Sequence, residues 1–475
     1  MQITQPSDYV GYKNRHPSPH DDDDDEKHGY YHAIGYLLVG LGCGWLAPTL
    51  QRYKNSDSEF SLDTQACSFI ASLHYAGRST ACLFVAPLID RLGRNKIICF
   101  NAICSCICWL AVRLTKSIPL HYAIRVLFGL GTASLDVAGG LYIGENSSPK
   151  FRGIFGSMCS LAFYIGELIA FIVSTYCSYE TTAILFASIS LTALLSTVLL
   201  KEPAQYLLAE GHYQKAEKRF FRFRGATEIA KQEFEQINLA LSKPKEPITV
   251  GLLVSKSMRA VCIVNCYLYI TGYAPINGMS SMAFFSIKNI TPNDLTILLG
   301  IMQLVSIFFS STIIERIGRR PIMIISAAIG TCIHISIAAV YYCHEIGISI
   351  PHFAWILFAL ITSYAILAAA IVIPLMTTIR GELLSPQLKA VGGSIAMFFN
   401  SIFSLGWAAL FLPIAELYGM KTNFLWFGIM SFIALIYIYF DLPETRGLTL
   451  TEIQLSLNQK EKSKSQNQTR ELEQP

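Results

Sequence analysis

Asp90-Arg-Leu-Gly-Arg-Asn-Lys96 is the stretch on which the fold turns, because it returns in the second half of the chain as Glu315-Arg-Ile-Gly-Arg-Arg-Pro321. A second phrase, Gly144-Glu-Asn-Ser-Ser-Pro-Lys-Phe-Arg-Gly153, returns as Gly381-Glu-Leu-Leu-Ser-Pro-Gln-Leu-Lys-Ala390. The offsets are 225 and 237 residues (315 − 90 and 381 − 144), and every copy is a charged, glycine-bearing connector between long apolar segments. That recurrence predicts a duplicated membrane protein.

Composition points the same way. Of 475 residues, 52% are hydrophobic and 15% charged, and the mean hydropathy is +0.42. A water-soluble fold of this size has no interior able to hide that much apolar surface. The net charge of +4 is small, and its basic residues sit in connectors rather than in one stripe interleaved with aromatics, so no nucleic-acid partner is expected. Most of the 13 cysteines lie in apolar runs, where a thiol packs as a small apolar group. Cys104 and Cys108 share a helix face but lack the His or acidic partners of a metal site. Cys177 and Cys343 lie near connectors on one side, where a single bridge is conceivable. Residues 1–29, with the acidic run Asp21 to Asp25, read as a solvated tail without a cleaved signal peptide.

A membrane-crossing helix needs about 20 apolar residues. Such segments lie near 30–50, 66–89, 97–114, 119–143, 154–176 and 181–200, then near 258–286, 294–314, 321–343, 352–379, 390–414 and 422–441. The fold class expected is therefore an all-α membrane protein of twelve spans in two six-helix bundles, 30–200 and 258–441. Between them lies a linker, 201–257, and a polar tail covers 442–475. Leu207, Leu208, Ala216 and Phe220 recur at helical spacing and predict amphipathic linker helices along the inner membrane face. Lys and Arg collect in alternate connectors (Arg91, Arg94, Lys96, Lys150, Arg152, Arg316, Arg319, Arg320, Arg380 and Lys389), which places those connectors and both termini in the cytoplasm. In that topology Asn289-Ile-Thr291 is an extracellular glycosylation sequon, with Pro292 after it, whereas Asn146 and Asn467 face the cytosol.

Repeated charged phrases at equivalent loops fit two halves that rock about a central cavity. Asp90 with Arg94, and Glu315 with Arg319, are expected to pair as latches, as are Glu145 with Arg152 and Glu382 with Lys389; Gly93 and Gly318 permit the tight turns. The plainer reading, topological anchors in exposed pairs worth about 0–1 kcal/mol each, explains less of the repetition.

With these phrases stand Arg125-x-x-x-Gly129-x-Gly131, Tyr142, Phe151-Arg-Gly153, Glu202-Pro203 with Tyr206 to Leu208, and Pro443-Glu-Thr-Arg-Gly-Leu-Thr-Leu450 followed by Glu452 and Ile453. Together they resemble the sugar porters of the major facilitator superfamily over residues 33 to 455. Gly42-Cys-Gly-Trp-Leu-Ala-Pro-Thr-Leu50 is most similar to the insect facilitative trehalose-transporter-like branch. The resemblance implies alternating access, a neutral sugar as substrate, no cofactor, and a cytoplasmic gate of Asp90, Arg91, Arg94, Glu145, Arg152, Glu202, Glu315, Arg316, Arg319, Glu382, Lys389, Glu444 and Arg446. It also implies sugar contacts from Gln303 and Asn400, the positions that match the family's amides.

Elsewhere the chain departs from the pattern. Ser160 stands where the family has a Gln, Leu268 and Tyr269 where it has a pair of Gln, and Ala274 where it has Asn. Asn265, Tyr269 and Tyr273 share one helix face by four-residue spacing and, with Tyr267, Thr271 and Asn277, are the polar candidates native to this sequence. Two carboxylates inside spans, Asp136 and Glu167, mark the pathway, since ionisable groups at membrane depth are costly. Asp136 lies eleven residues after Arg125, about 16 Å along a helix, near mid-depth. The leading expectation is a facilitative carrier of a hexose, trehalose-like disaccharide or polyol across the plasma membrane. The alternatives are a proton symporter using Asp136 and a non-transporting sugar sensor. No enzyme is expected, because no nucleophile, base and oxyanion donor occur as a set. Protein partners are not readable from the chain.

Overall fold

The computed structural model describes residues 33–446 except 55–61, 116, 147–148, 199, 225–226, 243–249, 254, 288 and 385–387. The acidic run, the first tail, the second tail beyond 446, and the side chains of Arg152, Glu315, Lys389 and Asn146 lie outside the described residues. Twelve spans follow the apolar segments. The first half holds Ala33–Tyr53, Thr64–Leu92, Arg94–Leu114, Ile118–Asn146, Pro149–Tyr176 and Tyr179–Val198. The second half holds a segmented seventh span, Lys256–Ile270, Tyr273–Gly278 and Ser280–Ala283, then Pro292–Ile317, Arg319–Glu345, Phe353–Leu383, Lys389–Tyr418 and Met420–Asp441. Among the described residues 10 of these are long and apolar enough to cross a membrane on their own composition. The second span is diluted by serines, His74 and Arg78, and the seventh is broken.

The sequence predicts an unbroken seventh helix over 258–286; the break at Gly272 corrects it. Gly272 has φ 80°, a left-handed conformation that a side chain resists, and a Cβ there would sit 2.3 Å from the Phe427 ring. Pro275 follows without an N–H to continue the ladder. Two other spans are interrupted beside a proline. The first turns at Trp45, ahead of Pro48, and the tenth takes a π-helical turn at Ala368–Val372 ahead of Pro374. Irregular backbone at membrane depth persists only inside protein or along a polar path, so these breaks point to the bundle axis.

Within the first half, glycines set the helix crossings. A Cβ on Gly40 would lie 2.0 Å from the Phe163 carbonyl oxygen, and one on Gly166 would lie 2.2 Å from that of Leu37, so the first and fifth spans touch backbone to backbone. Gly77 and Gly129 do the same for the second and fourth spans, at 2.1 Å from Val126 O and 2.0 Å from His74 O. Small residues at crossings are how membrane helices approach without a hydrophobic drive between them. Gly129→Ala is expected to destabilise the first half at the upper end of the about 1–3 kcal/mol typical of overpacking, read as a lower melting temperature in detergent; an unchanged melting curve would contradict the crossing.

The halves meet where the second span runs along the eleventh and the fifth along the eighth. The linker helices Ala204–Ala209, Tyr213–Arg224 and Glu228–Ser242 lie between them in sequence. Their apolar faces meet one another, with Ala204, Ala216, Phe220, Ala230 and Phe234 forming a small core that Leu207 and Leu208 join. The end of the bundle carrying these helices is termed the linker end, and the opposite one the far end.

Candidate functional site

At the linker end both repeats build the same device. After Gly93, φ 94°, the third span begins, and the Glu202 carboxylate accepts from the backbone N–H groups of Arg94 at 2.9 Å and Asn95 at 3.2 Å. After Gly318, φ 103°, the ninth span begins, and Glu444 accepts from Arg319 and Arg320 N–H, each at 3.1 Å. Each glutamate thus caps exposed N–H groups at the positive end of a helix. The arginine side chains turn to the next loop: Arg94 Nη2 lies 2.7 Å from Glu145 Oε1, and Arg319 Nη2 lies 3.1 Å from Glu382 Oε1.

These contacts revise the expected latches. Asp90 reaches Arg94 only at 4.0 Å, because the helix that would align them stops at Gly93. The chief partners of Arg94 and Arg319 are Glu145 and Glu382. Arg91 is exposed, and its carbonyl accepts from Tyr206 O–H at 3.4 Å. Arg316 likewise contributes its carbonyl, to Arg446 Nη1 at 2.8 Å. These linker-end contacts bind helices of one half to each other rather than one half to the other.

The two caps differ electrostatically. Burial pushes the Glu202 carboxyl up, against the N–H groups of Asn95 and Arg94. Burial raises Glu444 too, but donation from Arg446, Arg319, Arg320 and Thr445 outweighs it and holds this carboxyl below the ordinary glutamate value. A depressed folded pKa contributes stability above the unfolded pKa that is lost as pH falls through the folded one. Glu444→Gln is therefore expected to lower thermal stability at neutral pH, with the gap to wild type closing below the ordinary glutamate range. A gap that widened on acidification would contradict the assignment.

A polar seam runs between the halves nearer mid-depth. Asn277, past the break of the seventh span, donates from Nδ2 to Glu167 Oε1 at 2.5 Å, and its Oδ1 accepts from Gln303 Nε2 at 3.3 Å. The fifth, seventh and eighth spans are joined by that chain. Beside it Tyr164 and Tyr273 share a hydroxyl contact at 3.2 Å, and the Tyr269 and Tyr273 rings meet edge to face at 6.1 Å. Asn400 donates to the Asn265 carbonyl at 3.5 Å and hydrogen-bonds Tyr269. The Asn265 side chain turns back to Val261 O at 2.9 Å. Glu167 Oε2, Gln303 Oε1 and Asn400 Oδ1 are buried with no hydrogen-bond partner among the described residues.

Other candidates fall elsewhere. Thr271 is fully buried and binds Tyr364 O–H at 2.7 Å and its own helix, so it serves the break rather than the seam. Ser160 is half-buried and bonds to Gly156 O at 3.3 Å. Asp136 is held by Arg78, Nη2 to Oδ2 at 2.9 Å. Arg125 donates to the backbone carbonyls of Ile70 at 3.0 Å and Gly42 at 3.1 Å. Arg78 is not among the residues that the sequence reading chooses; its sign is an arginine inside an apolar run. Asn277 is among the polar candidates of the seventh span, but its place as a hub is not foreseen there. Cys177 and Cys343 are free thiols, so the conceivable bridge is not formed. Asn289 sits exposed in a turn ahead of the eighth span.

The far end is closed across the halves. Ser281 Oγ donates to Ala47 O at 2.5 Å, and Tyr176 O–H to Asp294 Oδ1 at 2.8 Å. Leu46, Leu50, Cys67 and Ile70 of the first half join one apolar cluster with Ile276, Met279 and Leu295 of the second. At the linker end a Cβ on Gly140, Gly156 or Gly381 would meet nothing within 4 Å.

Two six-span halves, interrupted helices on the axis and a polar seam sealed at one end define a polytopic membrane carrier of the major facilitator fold. Solved structures agree on the fold: the proton:xylose symporter XylE bound to 6-bromo-6-deoxy-D-glucose superposes with a TM-score of 0.76 at 17% identity, covering 92% of this chain and 100% of that one. The human organic anion transporter MFSD10 superposes at 0.62 and 14% identity, over 87% of this chain and 99% of that one. A sequence profile of the family described as sugar (and other) transporter matches residues 31–457, and the chain belongs to that family. It is a multi-pass membrane transporter and not an enzyme. Relatives include the facilitated trehalose transporters Tret1 of Polypedilum vanderplanki, 23% identical over 89% of this chain and 86% of the relative, and of Bombyx mori, 22% identical over 89% and 84%. Of the Drosophila virilis relative, 23% identical, the chain spans 47%.

Proposed function

We propose that this chain is a facilitative carrier that moves a neutral sugar across the plasma membrane by alternating access. One observation carries the reading: buried acceptors on both halves, Glu167 Oε2 in the first and Gln303 Oε1 and Asn400 Oδ1 in the second, have no partner among the described residues. Unsatisfied polar atoms at such depth are costly, and hydroxyls of an uncharged sugar supply the donors that they lack. The relatives' trehalose transport supports a hexose or disaccharide as cargo. The basic linker-end connectors support that end, and both termini, as cytoplasmic. With the far end sealed, the arrangement then corresponds to release toward the cytosol.

Proton coupling is the second reading: the sequence offers Asp136 for it, and Glu167 is the candidate we favour. Asp136 already has a cation, whereas Glu167 has Asn277 on one oxygen and nothing described on the other. The test is purified protein in liposomes with labelled trehalose, D-glucose and a polyol. Saturable equilibration that a protonophore leaves unchanged is the expected result. Accumulation that collapses with the protonophore would reject uniport, and no flux above empty liposomes would reject the carrier.

A further inference from the structure

We propose that the Arg78–Asp136 ion pair is a sugar-contacting subsite that reads two adjacent hydroxyls of the neutral substrate. The inference rests on the carrier reading and adds which atoms select the cargo.

The pair is not needed to hold its helices together. Arg78 follows Gly77, and the second and fourth spans are already in backbone contact through Gly77 and Gly129 at that level. The side chains are 10% and 16% exposed, and their contact uses one terminal nitrogen and one oxygen rather than a two-pronged clamp. Arg78 Nε is buried with no partner among the described residues. Desolvating two charges at lipid depth for one hydrogen bond is unfavourable unless something else uses them.

The surroundings supply the complementary wall. Tyr269 of the seventh span lies within electrostatic reach of both Arg78 and Asp136, and so does Arg380 of the tenth span for Asp136. Tyr269 is bonded to Asn400, whose Oδ1 is unpartnered. An unpartnered guanidinium N–H and a carboxylate of the first half thus lie within electrostatic reach of the Tyr269 side chain of the second. One sugar hydroxyl donates to Asp136, its neighbour accepts from Arg78 Nε–H, and the Tyr269 ring covers the C–H face. Because the pair sums to zero, an uncharged ligand leaves it intact. A uronate would compete with Asp136 for Arg78 and strand a carboxylate in a low dielectric.

The experiment measures KM in liposomes for trehalose, D-glucose and their monodeoxy analogues, with wild type, Asp136→Asn, Arg78→Gln and the charge-swapped Arg78→Asp/Asp136→Arg chain. Each single variant should raise KM for the parent sugar about ten- to a hundredfold, the range of one charge-assisted hydrogen bond, and should erase the wild-type penalty for the analogue lacking the contacted hydroxyl. The swapped chain should regain abundance without regaining that discrimination, so it reports even where a single variant fails to accumulate. Wild-type KM and deoxy pattern in the swapped chain would make the pair merely structural and overturn the proposal, as would D-glucuronate moving better than D-glucose. Absence of any wild-type flux would instead reject the carrier reading beneath it.

Discussion

Arg94→Ala is expected to lower the stability of the protein by about 3–5 kcal/mol, the range for removing one partner of a buried ion pair and leaving the other uncompensated. Glu145 is the group left behind, its side chain 11% exposed against 12% for Arg94. Arg94 donates to both Glu145 oxygens, so the lost guanidinium leaves a buried carboxylate without its cation. The equivalent Arg319→Ala should cost less, because Arg319 and Glu382 are 19% and 23% exposed and solvent screens more of the interaction. Thermal unfolding in detergent measures both. The double variant Arg94→Ala/Glu145→Ala should recover part of the loss, since it no longer buries a lone charge. Equal effects at the two sites, or no recovery, would contradict the assigned pairing.

Asn277→Ala should be the most damaging change to transport that leaves the protein folded. Asn277 is the only described side chain bonded to both Glu167 and Gln303, so its loss strands one atom of each, at about 1–3 kcal/mol per orphaned buried group. Sugar flux should fall on the order of ten- to a hundredfold while surface abundance stays near wild type. Thr271→Val, six residues earlier and turned toward Tyr364, should lower stability and leave KM unchanged. The reverse ranking would place the substrate path on the wrong face of the seventh span.

Much of this architecture is legible in the chain. Duplicated phrases, apolar run lengths and basic connectors give twelve spans in two halves, because these signals are local and set by membrane thickness. Pairing partners are less legible: Arg94 lies 51 residues from Glu145 and 108 from Glu202, and nothing in sequence separates the Asp90 four positions away from those distant carboxylates. Helical spacing also fails across a break. Tyr269 and Tyr273 still meet as the period places them, but the left-handed Gly272 resets the phase for the residues after it and brings Asn277 to the seam. Arg78 and Asp136 meet only because Gly77 and Gly129 bring their helices into backbone contact, a tertiary fact written in residues that lack side chains.

Alternating access requires the two halves to part at the far end to admit cargo to the seam. Ala47 and Ser281 touch across that end, so paired substitutions Ala47→Cys and Ser281→Cys allow it to be bridged by oxidation. Sugar counterflow should stop when the bridge forms and return when it is reduced, with oxidant leaving the wild-type chain active. Counterflow that continues at the wild-type rate through a fully bridged protein would contradict it.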